Sequence, residues 1–234
     1  AFGSALLLAV TLIGAGFAAV AIPDAATATL SRAYSGCDQP DTPFTADELA
    51  SMAIAGKRYT FDDNDREKLD AAIAEANAAA EADGRASAST RESAARSLPA
   101  DAISHLDDVY RVACVAKPAL AIVAALCIAG LAHVAVRIGR RALGRTLMAG
   151  GGLVLAAFCA LGAWAAIDFD GLFAAFHSLF FQAGTWTFPY DSLLITLYPT
   201  AFWMGMGGIW LAVTCGLSIL AVLIGFTLGH KQHD

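Results

Sequence analysis

Two histidines, His105 and His177, are the residues of this sequence best suited to carry chemistry. An imidazole titrates near pH 6.5, so a pair of them suits general acid–base work at neutral pH. His105 opens the run H-L-D-D-V. If that run is helical, Asp101 four residues before and Asp108 three after share its face, and either carboxylate can hold one ring nitrogen and raise the basicity of the other. The ordinary explanation of such a residue is a solvated histidine in a weak ion pair. His177 stands in D-F-D-G-L-F-A-A-F-H-S-L-F-F-Q-A-G-T-W-T-F, where Phe173, Phe176, Phe180, Phe181, Trp186 and Phe188 mark a segment lying at a membrane interface. An ionisable group there is a functional candidate by default, with snorkelling to lipid headgroups as its ordinary explanation.

The remaining reactive residue types offer less. His133 falls near the end of an apolar run, and His230 and His233 fall in the C-terminal tail. A zinc site built from His105, His177 and a carboxylate lacks any paired-ligand spacing such as H-x-x-x-H, so no metal and no cofactor is expected. There is no Gly-rich phosphate loop, G-x-S-x-G elbow or C-x-x-C pair. The Gly205-Met206-Gly207-Gly208 run reads as close helix packing. Cys127, Cys159 and Cys215 sit in apolar runs as small fillers, while Cys37 and Cys114 fall on one side of the membrane, where pairing stays open. Tyr34-Ser35-Gly36-Cys37 is not read as a lipobox, because about 14 mostly small or polar residues separate it from the preceding apolar run.

The elements that must position the histidines follow from composition. Of 234 residues, 57% are hydrophobic, and the mean hydropathy is +0.58, too apolar for a soluble domain of this size. Four stretches are long enough to cross a hydrocarbon core, which takes about 20 residues. The reading is an all-α integral membrane protein with spans at 1–22, 118–136, 146–167 and 198–229, the early part of the last lying in the interface or tilted. Ala26-Thr27-Ala28 has the look of a signal-peptide cleavage site, but the apolar run before it exceeds an h-region, so a retained span is expected. Residues 137–145 hold Arg137, Arg140, Arg141 and Arg145 with no acid, which places that loop in the cytoplasm, and Lys231 in the 230–234 tail agrees. A mostly helical domain at 23–117 and an interfacial loop at 168–197 are therefore extracytoplasmic. The outer domain holds 17 acidic against 10 basic residues, which speaks against a nucleic-acid partner.

Within that domain Thr45 and Glu48 form a capping box that starts a helix expected to end at Gly56. Asp62–Ala82 reads as an alanine-rich surface helix, and Arg85–Ser97 as mobile or padding sequence. From Pro99 a further helix leads to the second span, with Ile103, Leu106, Val109 and Tyr110 as its packing face and His105 turned to one side of it. Spans two and three are joined by a short loop and form an antiparallel pair. Their outer ends are neighbours, so His105 before span two and His177 after span three can line one site at the outer leaflet.

At this point the residues resemble a known family. Phe176–Phe188 (F-H-S-L-F-F-Q-A-G-T-W-T-F), Asp191–Trp203 (D-S-L-L-I-T-L-Y-P-T-A-F-W) and His105–Val109 are similar to the bacterial integral-membrane family of the lipoprotein intramolecular transacylase, with Tyr198 standing where phenylalanine is frequent. The resemblance covers most of the chain outside Asp70–Ser97. It implies a plasma-membrane enzyme that moves the sn-2 acyl chain of a diacylglyceryl lipoprotein to the α-amine of its N-terminal cysteine, giving a lyso-form lipoprotein. The partners implied are that lipoprotein and membrane lipids. Two outward-facing histidines carry the family's chemistry and map onto His105 and His177. His177 is then the general base, and His105, steadied by Asp108, the oxyanion stabiliser or proton donor; exchanged roles and a covalent acyl-histidine stay open. Phe176, Phe180, Phe181, Trp186 and Trp203 are expected to line an acyl groove. The alternative is a non-catalytic membrane module whose acidic outer domain binds a partner or senses pH.

Overall fold

A computed structural model describes residues 1–87 and 93–230; Lys231 and His233 lie outside the described residues. Helices account for all regular structure among them. In chain order these are α1 (Phe2–Ala21), α2 (Asp24–Tyr34), α3 (Ala46–Phe61), α4 (Arg66–Ala82), α5 (Ala100–His133), a π-helical turn (Val134–Ile138), α6 (Arg140–Ile167), α7 (Phe169–Ser178), α8 (Leu193–Leu197) and α9 (Thr200–His230). Four helical stretches are long and apolar enough to cross a membrane: α1, α5 with its π-helical turn, α6 and α9. The chain divides into two compact units. One comprises Ala1–Val20, Val115–Leu172 and Gly208–Asp234, the other Ala21–Cys114 and Phe173–Gly207.

The first unit holds the apolar helices. Leu8, Ala9 and Leu12 of α1, Cys127 of α5, Val154 and Phe158 of α6 and Ala221 of α9 form its core, with Trp210 packed against them. The Trp210 indole donates to the Ile13 carbonyl at 3.1 Å, which satisfies its N–H where hydrocarbon offers no partner. Helices α6 and α9 touch through glycine. A Cβ added at Gly144 would stand 2.5 Å from the Gly225 carbonyl oxygen, and one at Gly225 would stand 2.5 Å from that of Gly144. Backbone-to-backbone approach of this kind is the small-residue packing of membrane helices. It occurs here rather than along the Gly205–Gly208 run, where Gly207 and Gly208 meet nothing within 4 Å. The basic loop expected at 137–145 is also shorter than its composition suggests. Arg140, Arg141 and Arg145 belong to the opening turns of α6, and Gly139 alone joins the π-helical turn to that helix. Its φ of 111° is open to glycine and strained for other residues.

The second unit is built on α2, α3, α4, the start of α5 and α8. Thr45 and Glu48 make the expected capping box at α3. That helix does not stop at Gly56 but continues to Phe61, because Gly56 is a notch rather than a terminator. The Tyr198 hydroxyl enters it, 2.4 Å from where a Cβ would stand, and donates to the Ala53 carbonyl at 2.7 Å. Gly205 of the GMGG run similarly receives Leu30. Helix α4 is more than a surface helix, since Leu69, Ile73, Ala76 and Ala80 enter the core with Met52, Leu106 and Leu193. Its alanines allow close approach, and buried Asn77 accepts from Arg96 Nε at 2.7 Å while donating to the Arg96 carbonyl at 3.0 Å.

The 85–97 segment is correspondingly tied down on both sides of residues 88–92, which lie outside the described residues. Arg85 binds Glu48 and the Pro43 carbonyl, and buried Arg96 also reaches Glu81 at 3.0 Å. None of the five cysteines is in a disulfide; Cys37 and Cys114 are both exposed free thiols. Replacing Gly225 by valine is expected to destabilise the helix pair by about 2 kcal/mol through backbone overlap, whereas Gly207→Ala, facing open space, leaves stability unchanged. Thermal unfolding of the two variants in detergent measures the contrast.

Candidate functional site

The second unit brings His105 and His177 together, with ring centroids 6.2 Å apart and planes inclined by 30°. His105 is positioned by the first turns of α5. Ala102, Ile103 and Leu106 of the same turns are core residues, and His105 itself is only 8% exposed, so it is neither turned away from the packing face nor solvated. Two residues on, Asp107 braces this helix against α3 by accepting from Tyr59 Oη at 2.6 Å, and it also accepts from Asn64 Nδ2. Burial and the neighbouring carboxylate push the Tyr59 phenol up to about 12, which keeps it a donor.

His177 lies in the last turn of α7. Its Nδ1 stands 2.9 Å from the Phe173 carbonyl oxygen one turn earlier. A carbonyl only accepts, so the proton belongs on Nδ1 and the lone pair on Nε2. The Phe173 ring stacks on the imidazole at 4.0 Å, and Trp186 covers it at 4.9 Å. Phe181 lies 4.9 Å from His105 and 5.8 Å from His177, and Phe188 lies 5.6 Å from His105. Trp203, on the first turn of α9, reaches the cluster through Phe173 at 5.8 Å. Phe176 and Phe180 pack edge to face at 5.3 Å and remain exposed on its outer side.

The loop that supplies Trp186 and Phe188 is held at its far end. The Leu193 N–H donates to the Ala94 carbonyl at 2.6 Å, the Gly36 N–H to Thr196 at 2.8 Å and the Ser35 hydroxyl to Leu197 at 2.6 Å. Tyr190 and Gln39 exchange further bonds between the same two segments, Tyr190 Oη donating to the Asp38 carbonyl and Gln39 Nε2 to that of Tyr190. Apart from the Leu193–Ala94 bond, these contacts join parts of the chain over 150 residues apart, and spacing alone does not reveal them. Phe173, as both acceptor and stacking ring, was legible as the residue four before His177 on a helix. Phe188 and the Tyr59–Asp107 brace carried no such signal.

Asp108 does not bind His105. Its carboxylate pairs with Arg111 one turn on, and Asp101 caps the backbone N–H of Ala102. The Asp108–Arg111 pair instead lines a cleft of about 410 Å³ with Val112, Phe180, Phe181, Gln182 and Thr185. Two polar atoms in the site are buried without a hydrogen-bond partner among the described residues, Nδ1 of His105 and Nε1 of Trp186. His133 and His230 belong to the other unit. Among the described residues no three His, Cys, Asp or Glu side chains are grouped to hold a metal ion.

Both histidines precede or follow the apolar runs, and both are held uncharged. Burial pushes the His105 imidazole down to about 4, with the positive charge of a protonated His177 acting in the same direction and Asp108 opposing. Burial also lowers His177, partly offset by the hydrogen bond to Phe173. Each ring therefore binds fewer protons in the folded chain than in the unfolded one below its ordinary 6.5. Acidification through that range favours the unfolded state, and the His105 contribution is fully lost only once pH has passed through about 4. The unfolding temperature should fall between about pH 7.5 and about pH 5, and fall less steeply in His105→Gln. Equal slopes in melts of the two proteins would refute the burial argument.

A family profile matches part of the sequence, and solved structures match the fold. The sequence profile of the family described as lipoprotein intramolecular transacylase Lit matches residues 85–203, just over half of the chain and inclusive of both histidines. The chain is similar to the in meso structure of the membrane-integral lipoprotein intramolecular transacylase from Bacillus cereus. The TM-score is 0.72 at 18% identity, over 97% of this chain and 93% of that one. A histidine-to-arginine variant of the same Bacillus cereus protein matches with a TM-score of 0.62 at 19% identity, over 97% of this chain and 91% of that one. None of the curated proteins matches the sequence. The four apolar helices and this likeness identify a multi-pass membrane protein.

Proposed function

The chain belongs to the family of lipoprotein intramolecular transacylases, and we propose that it transfers the sn-2 acyl chain of a diacylglyceryl-modified lipoprotein to the α-amine of that lipoprotein's N-terminal cysteine. The observation that carries this reading is the pair of uncharged imidazoles at 6.2 Å within an aromatic surround. The Arg137–Arg145 cluster supports a cytoplasmic joint between α5 and α6, with the histidine site on the extracytoplasmic side.

Donor ester and acceptor amine belong to one molecule, so the enzyme's main task is to fold that molecule into an attack geometry, where effective molarity supplies much of the acceleration. The neutral amine nitrogen attacks the sn-2 carbonyl carbon and forms the C–N bond, while the carbonyl electron pair moves to oxygen. His177 Nε2, whose lone pair is left available by the Nδ1–Phe173 bond, takes the proton from nitrogen. The tetrahedral centre then collapses, the C–O bond to glyceryl C2 breaks, and that oxygen receives the proton that His177 took up, passed on through His105, so that both imidazoles end neutral. One ester becomes one amide and one alcohol, and no water, nucleotide or carrier is consumed.

Asp108 contributes to this scheme as a charge near His105, easing its transient protonation, rather than as a hydrogen-bond partner. Phe176, Phe180, Phe181, Trp186 and Trp203 form the apolar seat of the acyl chains. The exposed rings of Phe176 and Phe180 meet the membrane there, and the 410 Å³ cleft with its Asp108–Arg111 pair suits the polar peptide that follows the modified cysteine.

Mass spectrometry of a reporter lipoprotein's N-terminus in cells producing the protein tests the reading. The native chain should yield the N-acylated lyso form, and His105→Ala and His177→Ala should each lower its rate of formation about 10²-fold or more. A diacylglyceryl terminus left untouched by the native chain, or full activity in both variants, refutes it. Because both imidazoles are lowered, the acid limb of the pH–rate profile should have its midpoint below 6.5. A midpoint above that value would place the base elsewhere.

A further inference from the structure

Trp186 has a second property that its ring alone does not explain. An indole N–H is a donor only, and in a buried position it ordinarily finds a carbonyl or hydroxyl acceptor. Trp210 does so by donating to Ile13 at 3.1 Å. The Trp186 N–H is buried yet has no acceptor among the described residues. Leaving such a group unpaired is costly to a folded protein, so its retention calls for a reason.

Its surroundings supply one. The Trp186 ring lies 4.9 Å from His177 at an inclination of 32°, so the indole packs directly against the imidazole whose Nδ1 is engaged by Phe173. The neighbouring Phe173 side chain offers no acceptor, presenting its ring 6.5 Å from the indole, and its carbonyl is engaged by His177. A donor that is fixed, desolvated and unpaired in the resting protein is what stabilises a charge that exists only in a transition state. We propose that Trp186 Nε1–H is an oxyanion donor that hydrogen-bonds the sn-2 carbonyl oxygen as it becomes negatively charged. This rests on the acyl-transfer reading above and adds a catalytic contact to it.

The step fits the atoms in place. As nitrogen attacks the carbonyl carbon, the C=O electron pair localises on oxygen, and nitrogen and oxygen are both substituents of that one carbon. The base that takes the proton from nitrogen and the donor that meets oxygen must therefore be adjacent, as His177 and Trp186 are. Collapse returns the electron pair to a C=O of the new amide, and the Trp186 N–H keeps its proton throughout. His105 is thereby freed for the leaving oxygen alone.

Substituting Trp186 by β-(3-benzothienyl)alanine replaces N–H with sulfur while preserving ring shape and aromatic packing, and Trp186→Phe is the encoded counterpart. With the purified full-length protein and a synthetic diacylglyceryl lipopeptide in lipid vesicles, the benzothienyl protein should show kcat reduced about 10²-fold. Its KM and unfolding temperature should match those of the native chain. A phosphonate replacing the sn-2 ester, which carries charge on the corresponding oxygen, should bind the benzothienyl protein at least about 10-fold more weakly, in line with a transition-state contact. Native kcat in the benzothienyl protein, or equal phosphonate affinity, overturns the donor role and leaves the histidine assignment standing. An inactive native chain overturns that assignment and the donor role with it.

Discussion

Holding two imidazoles uncharged inside an aromatic cluster is the constraint around which the second unit is organised. A buried charge would have to be paired, and among the described residues no carboxylate binds either ring: Asp108 is taken by Arg111, and Asp101 by the backbone of its own helix. What remains is neutral nitrogen, protonated on His105 only near pH 4, with the proton of His177 held on Nδ1 by the Phe173 carbonyl. That bond spans one turn of a ten-residue helix. It directs the basic nitrogen away from α7 without any charged partner, which a largely desolvated site can accommodate better than an ion pair.

Keeping such rings within 6.2 Å requires a stiff frame, and hydrogen bonds between distant segments supply it. Tyr59 and Asp107 lock the start of α5 to α3. Backbone bonds at Gly36, Ala94, Leu193 and Thr196 fasten the end of the aromatic loop to the same unit. Buried Leu193, Leu194 and Leu197 of α8 add the apolar contact that these bonds orient. Tyr198 joins the frame through the notch at Gly56, where its hydroxyl meets the Ala53 carbonyl. A phenylalanine would fill the notch without that bond, so the hydroxyl gives this chain an additional tie between α3 and the start of α9.

An intramolecular acyl transfer suits a site of this kind. The reaction asks for little chemical machinery, because substrate supplies donor and acceptor together; a base, a proton donor and an oriented apolar seat are enough. In the proposed scheme the aromatic residues around His105 and His177 would limit access of water, which matters because an ester held beside an activated base is otherwise exposed to hydrolysis. The proposed scheme therefore links the composition of the Phe173–Phe188 segment to the reaction's outcome, amide rather than free acid.

The sequence by itself determined the membrane class, the four apolar helices, the capping box at Thr45 and the identity of both histidines, since hydropathy, capping and motif are local properties read along the chain. It also carried the family resemblance, because the Phe176–Phe188 and Asp191–Trp203 runs are contiguous. Contacts made across distance were decided only by the tertiary structure. Gly56 looked like a helix end because glycine often is one, and only the arrival of Tyr198 shows it as a notch. Helix α4 looked superficial because alanine is small, and only its neighbours show that smallness serving close packing. Asp108 stood at helical spacing from His105, yet Arg111 stands on the same face and offers a full charge, which a carboxylate prefers to a neutral, buried imidazole. The separation of the histidines belongs to this second class as well. Basic-residue counting gave only the expectation that both fall on one side of the membrane, but a distance of 6.2 Å depends on loop anchors over 150 residues away in sequence, which no local pattern encodes.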